Sequence, residues 1–199
     1  MSYKVVVPGH GDTARAPELH ASLETLNNNA RFDACEVYAY KSVPVYPKCR
    51  YIWKKGYWTD FMKMERGAES HVLLLLDDVK PRRNFSVSRM IDALRIFDLD
   101  MASSAIQKFR SFASPTLQPS LDCAVRQVSF VDPLLLLFKR KAWECWQREI
   151  NTTINRMGGG YSITFGSRCN ASVGVIDTEV AVHANRPHGR SAQTVRADR

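Results

Sequence analysis

The residues best suited to chemistry sit at the ends of apolar runs. In Leu73-Leu74-Leu75-Leu76-Asp77-Asp78-Val79-Lys80, two adjacent carboxylates leave a continuous apolar stretch. That stretch, His71–Leu76, predicts a strand buried on both faces. Strand alternation sends neighbouring side chains in different directions. One acid can therefore hold a divalent cation while the other meets a ribose hydroxyl or a base, or braces the loop. Hard carboxylate oxygens suit Mg²⁺ or Mn²⁺ bridging two phosphates. The same pair also fits a solvated turn after a core strand. A second run, Val173–Ile176, leads into Asp177, Glu179 and His183. The His183 imidazole suits Mn²⁺ tolerably and could share an ion with Asp78, although a lone histidine is more often structural or exposed.

Two glycine-rich stretches and one further acid complete the set. Pro8-Gly9-His10-Gly11-Asp12-Thr13-Ala14 follows the β-branched run Lys4–Val7 and precedes a helix opened by Pro17. It matches the relaxed dinucleotide pattern G-x-G-x-x-A, with Asp33 or Glu36 as the acid expected to meet a ribose. A glycine loop touching a nucleotide in another way fits the stretch better than that pattern, and a plain turn fits it best. Gly158-Gly159-Gly160-Tyr161 allows close backbone approach to a ligand, or ends a helix. Asp132 stands before Pro133, just after an apolar run.

These residues need a scaffold, and its elements are legible. Leu19, Leu23 and Leu26 share a helix face, and Asn27–Asn29 stop that helix. Glu36–Tyr40 alternates as a strand, Pro44 and Pro47 mark an irregular link, and Trp58–Arg66 reads as a helix. Val87, Met90, Ile91, Leu94 and Phe97 fall at helical spacing behind Ser86 as N-cap. Leu99–Ala102, Val125–Val131, Leu134–Phe138 and Val173–Ile176 are expected strands. Trp143, Trp146, Ile150, Ile154 and Met157 form another helical stripe. Strands alternating with helices imply an α/β fold with a mainly parallel sheet. Ligands of such sheets sit at the carboxyl ends of the strands. The places to search are Pro8–Asp12, Tyr40–Ser42, Asp77–Lys80, Ser103-Ser104, Asp132 and Asp177–His183.

Composition narrows the function classes. The chain has 199 residues, 45% hydrophobic and 24% charged, which excludes disordered, collagen-like and coiled-coil chains. Its apolar runs are far short of the about 20 residues that span a bilayer. The amino terminus carries no cleavage-site pattern of a signal peptide. The net charge of +8 favours anionic partners, but no face alternates basic and aromatic residues, so no specific nucleic-acid partner is expected. Residues 186–199 hold four arginines and read as a basic, flexible tail, compatible with a further domain in a longer natural chain. Residues 1–185 read as one domain. Five cysteines, an odd number without a C-x-x-C pair, predict reduced thiols in the cytoplasm and neither a zinc cage nor a disulfide framework.

In this order the motifs resemble the GT-A class of nucleotide-sugar glycosyltransferases. The amino-terminal strand with its glycine loop, the strand ending at Asp77-Asp78 and the late segment ending at His183 carry the likeness. The chain is similar in particular to glycosyltransferase-like proteins grouped as a domain of unknown function (DUF707), and to the amino-terminal glycosyltransferase domain of a large chlorovirus protein. Leu76-Asp77-Asp78-Val79 resembles their D-E-D-L-like turn, Gly158-Gly159-Gly160-Tyr161 their G-W-G-like motif, and Val173–Asp177 with Val182-His183 their V-G-V-V-D…V-V-H segment. Two positions depart from the pattern. Val79 replaces the second acid of a strict D-x-D, and Ser162 stands where the family has an acid after its glycine motif.

The resemblance implies a GT-A-like, mainly parallel mixed sheet with helices on both faces. It also implies a Mn²⁺- or Mg²⁺-dependent enzyme moving a sugar from a UDP-sugar donor to a hydroxyl of a glycan acceptor. Asp78 and His183 would hold the metal. Pro8, Gly9, His10, Gly11 and Asp77 would meet the nucleotide. Asp132 and Asp177 are the alternatives for the catalytic carboxylate on the acceptor side. A Rossmann-type nucleotide-dependent oxidoreductase and a basic nucleic-acid-binding module remain as other readings of the same residues.

Overall fold

A computed structural model describes residues 2–64, 68–107, 114–150 and 161–183. The chain runs β1 (Tyr3–His10), α1 (Ala16–Asn29), β2 (Ala34–Ala39), β3 (Arg50–Trp53), α2 (Trp58–Met62), β4 (His71–Leu75), β5 (Val79–Pro81) and α3 (Val87–Ile96). It continues with β6 (Met101–Gln107), β7 (Val125–Gln127), β8 (Leu135–Lys139), α4 (Arg140–Glu149), α5 (Tyr161–Cys169) and β9 (Val173–His183).

The nine strands form one sheet in the order β3-β2-β1-β4-β8-β6-β9-β5, with β7 paired to β9. Strands β1 to β4 are mutually parallel, and β6 and β9 are parallel to each other. β8 runs antiparallel between β4 and β6, so those two groups point the same way. β5 and β7 are antiparallel to β9. The fold is thus the expected mixed α/β sheet, mainly parallel in strand direction.

The antiparallel β8 matters for the site. A parallel neighbour would present its carboxyl end beside that of β4. β8 instead presents its amino end, so the turn after β4 and the approach to β8 share one edge. The Leu76 N–H donates to the Leu134 carbonyl at 3.0 Å there.

The core follows the expected apolar positions: Val5–Val7, Leu73–Leu75 and Leu135–Phe138 are fully or nearly fully buried. Pro17 lies in the first turn of α1, after a short 3-10 turn over Thr13–Arg15. Ser86 caps α3 by accepting from the Arg89 N–H. Phe138, Trp143, Trp146 and Phe165 form an aromatic cluster with ring centroids 5.2–6.1 Å apart, joining β8, α4 and α5.

Several boundaries move from the sequence reading. β1 extends through Pro8, Gly9 and His10, so these residues end a strand instead of following one. β6 covers Met101–Gln107, not Leu99–Ala102, which places Ser103 and Ser104 inside the sheet. Ser103 is satisfied there by donating to the backbone carbonyls of Ser104 and Leu135, whereas the buried Ser104 hydroxyl has no hydrogen-bond partner among the described residues. β9 runs on to His183, so Asp177 and Glu179 lie within a strand and not after one. β3, β5 and α5 were not anticipated. The Gly158–Gly160 motif, the end of the stripe at Ile154 and Met157, and the tail 186–199 lie outside the described residues.

The cysteine expectation is corrected. Cys35 pairs with Cys49 and Cys145 with Cys169, leaving Cys123 as a free, exposed thiol. The pairs are 14 and 24 residues apart in the chain. Sheet pairing and helix packing bring them together, so spacing rules for zinc or redox motifs were blind to them. Disulfides persist in oxidising compartments and in hyperthermophiles; the cytoplasmic expectation, which rested on reduced thiols, loses that support. No helix of the described residues is long and apolar enough to cross a membrane.

Tyr3 ties β1 to α1. Its hydroxyl donates to the carbonyls of Ala30 and Leu26. Burial, aided by the nearby Asp33 charge, pushes its phenol well above the ordinary tyrosine value. A raised tyrosine value means the folded state resists ionisation, so stability holds below about pH 10 and falls as pH rises beyond it. Tyr3→Phe is expected to cost about 1 kcal/mol at neutral pH, by loss of the hydrogen bond. It should also show a shallower loss of stability above about pH 10. Urea denaturation on both sides of that pH checks both; an equally steep alkaline loss would remove Tyr3 as the cause.

Candidate active site

The site is built around one tight turn. Leu76-Asp77-Asp78-Val79 is closed by the Val79 N–H donating to the Leu76 carbonyl at 3.1 Å. Asp77 and Asp78 occupy the centre of the turn, and their side chains part company. Asp77 meets β1: its Oδ2 lies 2.8 Å from His10 Nδ1, and its Oδ1 accepts from Arg15 Nη1 at 3.0 Å. Asp78 meets β9: its Oδ2 lies 3.2 Å from His183 Nε2 and 3.4 Å from Arg15 Nη1. The divergence expected of adjacent acids is therefore present, set by a turn and not by strand alternation.

His183 arrives there through an irregularity in β9. Ser104 pairs with Ile176, but Ala105 pairs with Val180, so Asp177, Thr178 and Glu179 have no partners across β6. Three inserted residues are an odd number. The insertion reverses which face each later side chain presents, because strand side chains alternate with period two. Beyond it, His183 pairs in register with Val79, next to Asp78.

Two buried acids brace the irregularity. Asp177 accepts from Arg126 Nε at 2.7 Å, from Arg126 Nη2 at 2.9 Å and from the Ser120 N–H at 2.8 Å. Glu179, fully buried, accepts from the Arg89 guanidinium and from the Ser86 N–H at 2.6 Å. Hydrogen bonding to Asp177 is the largest influence on Arg126 and holds its guanidinium charged against the opposing effect of burial. Both oxygens of Asp177, one of the two expected catalytic acids, are thus engaged in holding β7 and its preceding loop to β9.

Asp132 is placed differently. It lies two residues before Leu134, whose carbonyl receives Leu76, and so stands at the edge that carries the acidic turn. Its Oδ2 accepts from the Ser114 N–H at 3.1 Å.

Electrostatics separate the two acids of the turn. Burial pushes Asp78 toward neutrality, but the hydrogen bond and charge of His183, with the charge of Arg15, outweigh it and hold Asp78 below the usual carboxylate range. Asp78 is ionised throughout the neutral range. The stability this lowering contributes is present above the ordinary value of about 3.9 and is lost as pH falls through the lower folded value.

The donor set fits a divalent cation as an open half-site. Asp78 Oδ1 is buried without a hydrogen-bond partner, while both Asp77 oxygens are engaged. Buried polar atoms without partners are uncommon and call for an explanation. Among the described residues, no group of three or more His, Cys, Asp and Glu side chains forms a metal cage. Ions of the Mg²⁺ type are commonly held by one or two protein groups, with phosphate and water completing the shell.

His10 and Gly11 form the other wall. His10 is fully buried, with Nδ1 on Asp77 and Nε2 without a partner. Gly9 has φ +71°, the left-handed region that favours glycine. The ring of Tyr40, at the end of β2, lies over Gly11 so closely that a Cβ there would fall 2.3 Å from its Cζ. Ala14 lies in the 3-10 turn and not in α1, so the third small residue of the dinucleotide pattern does not seat a helix against the strand. Sequence reasoning had passed over Arg15. The only available signal was its spacing three residues after Asp12, which its Nε approaches at 3.5 Å.

No family model matches the chain, and no curated protein matches it. Solved structures do share its fold. GalNAc-T7, solved with UDP, GalNAc and Mn²⁺, superposes over 94% of this chain and 44% of its own at 6% identity, TM-score 0.70. S. aureus TarS in complex with UDP-GlcNAc matches 98% of this chain and 62% of its own at 13% identity, TM-score 0.59. A197 from STIV matches 94% and 87% at 13% identity, TM-score 0.56. The chain thus spans less than half of the GalNAc-T7 structure and less than two thirds of TarS. The narrower resemblances to the DUF707 group and the chlorovirus domain have no counterpart among these matches. What these likenesses establish is architecture: the chain has the mixed α/β sheet of the GT-A glycosyltransferase fold.

Proposed function

We propose that the chain is a glycosyltransferase that takes a UDP-sugar donor with a divalent cation and delivers the sugar to a hydroxyl of a glycan acceptor. The observation that carries this reading is the meeting of Asp78 and His183 at the carboxyl edge of the sheet, with a buried carboxylate oxygen left over. Support comes from the bound UDP, UDP-GlcNAc and Mn²⁺ of the structures that share the fold.

Asp78 and His183 would hold the cation, Mn²⁺ or Mg²⁺. When bound, such an ion supplies Lewis-acid stabilisation of negative charge on the leaving diphosphate. Asp77, locked between His10 and Arg15, positions the glycine-containing end of β1 against the acidic turn. Of the Pro8–Gly11 segment, the partly exposed Gly9, with the exposed Tyr40 ring that covers Gly11, offers a surface for the nucleoside. Asp132, at the same edge, takes the acceptor hydroxyl's proton as that oxygen attacks the anomeric carbon. Asp177 is committed to its brace and has no part in this reading.

The test is a thermal shift. UDP alone should raise the melting temperature slightly. UDP with Mn²⁺, at about a hundred times its dissociation constant, should raise it by roughly 5–10 °C. Asp132→Asn should keep that shift and lose transfer. A protein that ignores UDP and Mn²⁺ but shifts with a nicotinamide dinucleotide would overturn the proposal.

A further inference from the structure

Arg15 occupies a position that the proposed chemistry does not explain. Its Nη1 touches both acids of the turn, 3.0 Å from Asp77 Oδ1 and 3.4 Å from Asp78 Oδ2, and its Nε lies 3.5 Å from Asp12 Oδ2. One guanidinium thus serves three carboxylates. It shares Asp78 Oδ2 with His183, the residue proposed as the other metal donor. A cation arriving at Asp78 meets a positive charge already bound to the same carboxylate, in a partly buried site where screening by solvent is weak.

Arg15 is held outside the core. It belongs to the 3-10 turn Thr13–Arg15, which buries no residue. Its side chain is 22% exposed, so the long stem reaches the acids from the solvent side. A guanidinium is shaped to grip phosphate oxygens through two parallel N–H groups. A diphosphate at this edge competes directly with the acids for it.

From these contacts we infer that Arg15 is the resident counter-ion of the Asp77–Asp78 turn. It holds cation affinity low in the nucleotide-free protein and releases Asp78 to the cation when a nucleoside diphosphate draws the guanidinium away. Metal loading is thereby tied to arrival of the donor. This rests on the reading of Asp78 and His183 as cation ligands.

The experiment is a Mn²⁺ titration of the whole protein without nucleotide, with free Mn²⁺ followed by electron paramagnetic resonance. Arg15→Gln should bind Mn²⁺ roughly ten-fold more tightly than wild type, within the usual range of coupling between sites. Arg15→Lys, which keeps the charge, should stay near wild type. UDP should tighten Mn²⁺ binding by a larger factor in wild type than in Arg15→Gln. Circular dichroism confirms folding, and Arg15→Met, which keeps much of the apolar stem, repeats the measurement should Arg15→Gln unfold. Equal Mn²⁺ affinity in wild type and Arg15→Gln overturns the inference and leaves the Asp78–His183 reading standing. Tightening in Arg15→Lys equal to that in Arg15→Gln also overturns it, since charge would not be the cause. No Mn²⁺ binding by any variant, with or without UDP, overturns the metal reading and this inference with it.

Discussion

Asp78→Asn is expected to reduce Mn²⁺-dependent turnover of a UDP-sugar by about 10²–10³-fold, the range seen when one electrostatic contact to a transition state is removed. Asparagine keeps the shape of the side chain and removes the charge. The lost charge belongs to the one acid of the turn that keeps a buried oxygen unpartnered. The neighbouring Asp77 is turned away toward β1, where His10 Nδ1 lies 2.8 Å from its Oδ2. The apo protein should melt somewhat lower at neutral pH, because the variant lacks the charge that His183 and Arg15 stabilise, so turnover is compared below the new melting point. Removing Mn²⁺ with a chelator should bring wild type down to the level of the variant. Undiminished metal-dependent turnover in Asp78→Asn would end the assignment.

Asp177→Ala separates a brace from a catalyst. It leaves the Arg126 guanidinium and the Ser120 N–H without their shared acceptor. Hydrogen bonds to charged groups contribute about 1.5–3 kcal/mol each to stability. Arg126 is partly exposed and regains water, which keeps the expected loss within about 1.5–3 kcal/mol in total, or roughly 3–12 °C in melting temperature. The UDP-and-Mn²⁺ thermal shift should survive, and turnover measured below the new melting point should fall only modestly. Unchanged stability together with collapsed turnover would restore Asp177 as a catalytic carboxylate.

Chain order and local pattern determined much of this protein. The apolar run His71–Leu76 read as a strand covered on both faces, and β4 is buried between β1 and β8. Pro17, the leucines at 19, 23 and 26, and Ser86 marked helices where helices stand. The rule that ligands gather at strand carboxyl ends led to the Asp77-Asp78 turn, to the end of β1 and to His183. These features are local: periodicity, capping and proline geometry act within a few residues, so one segment carries the whole signal.

Tertiary structure decided what depends on partners far along the chain. No local pattern says that β8 enters antiparallel, which brings Asp132 to the edge that carries Asp77 and Asp78. Nor does any mark the three residues in β9 that find no partner across β6, reverse the facing of the strand and aim His183 at Asp78. Asp177 stood beside Asp132 as an alternative for the catalytic carboxylate because Ser162 replaces the family's acid. Only Arg126, fifty-one residues earlier, shows that it is buried and paired. The cysteines misled for the same reason, since a pairing set by sheet register and helix packing leaves no spacing rule behind. Arg15 gained its place only when the first turn of the chain was folded against a turn sixty-two residues later. A charge has meaning only through its neighbours, and in a sheet whose order departs from chain order those neighbours are chosen by the fold.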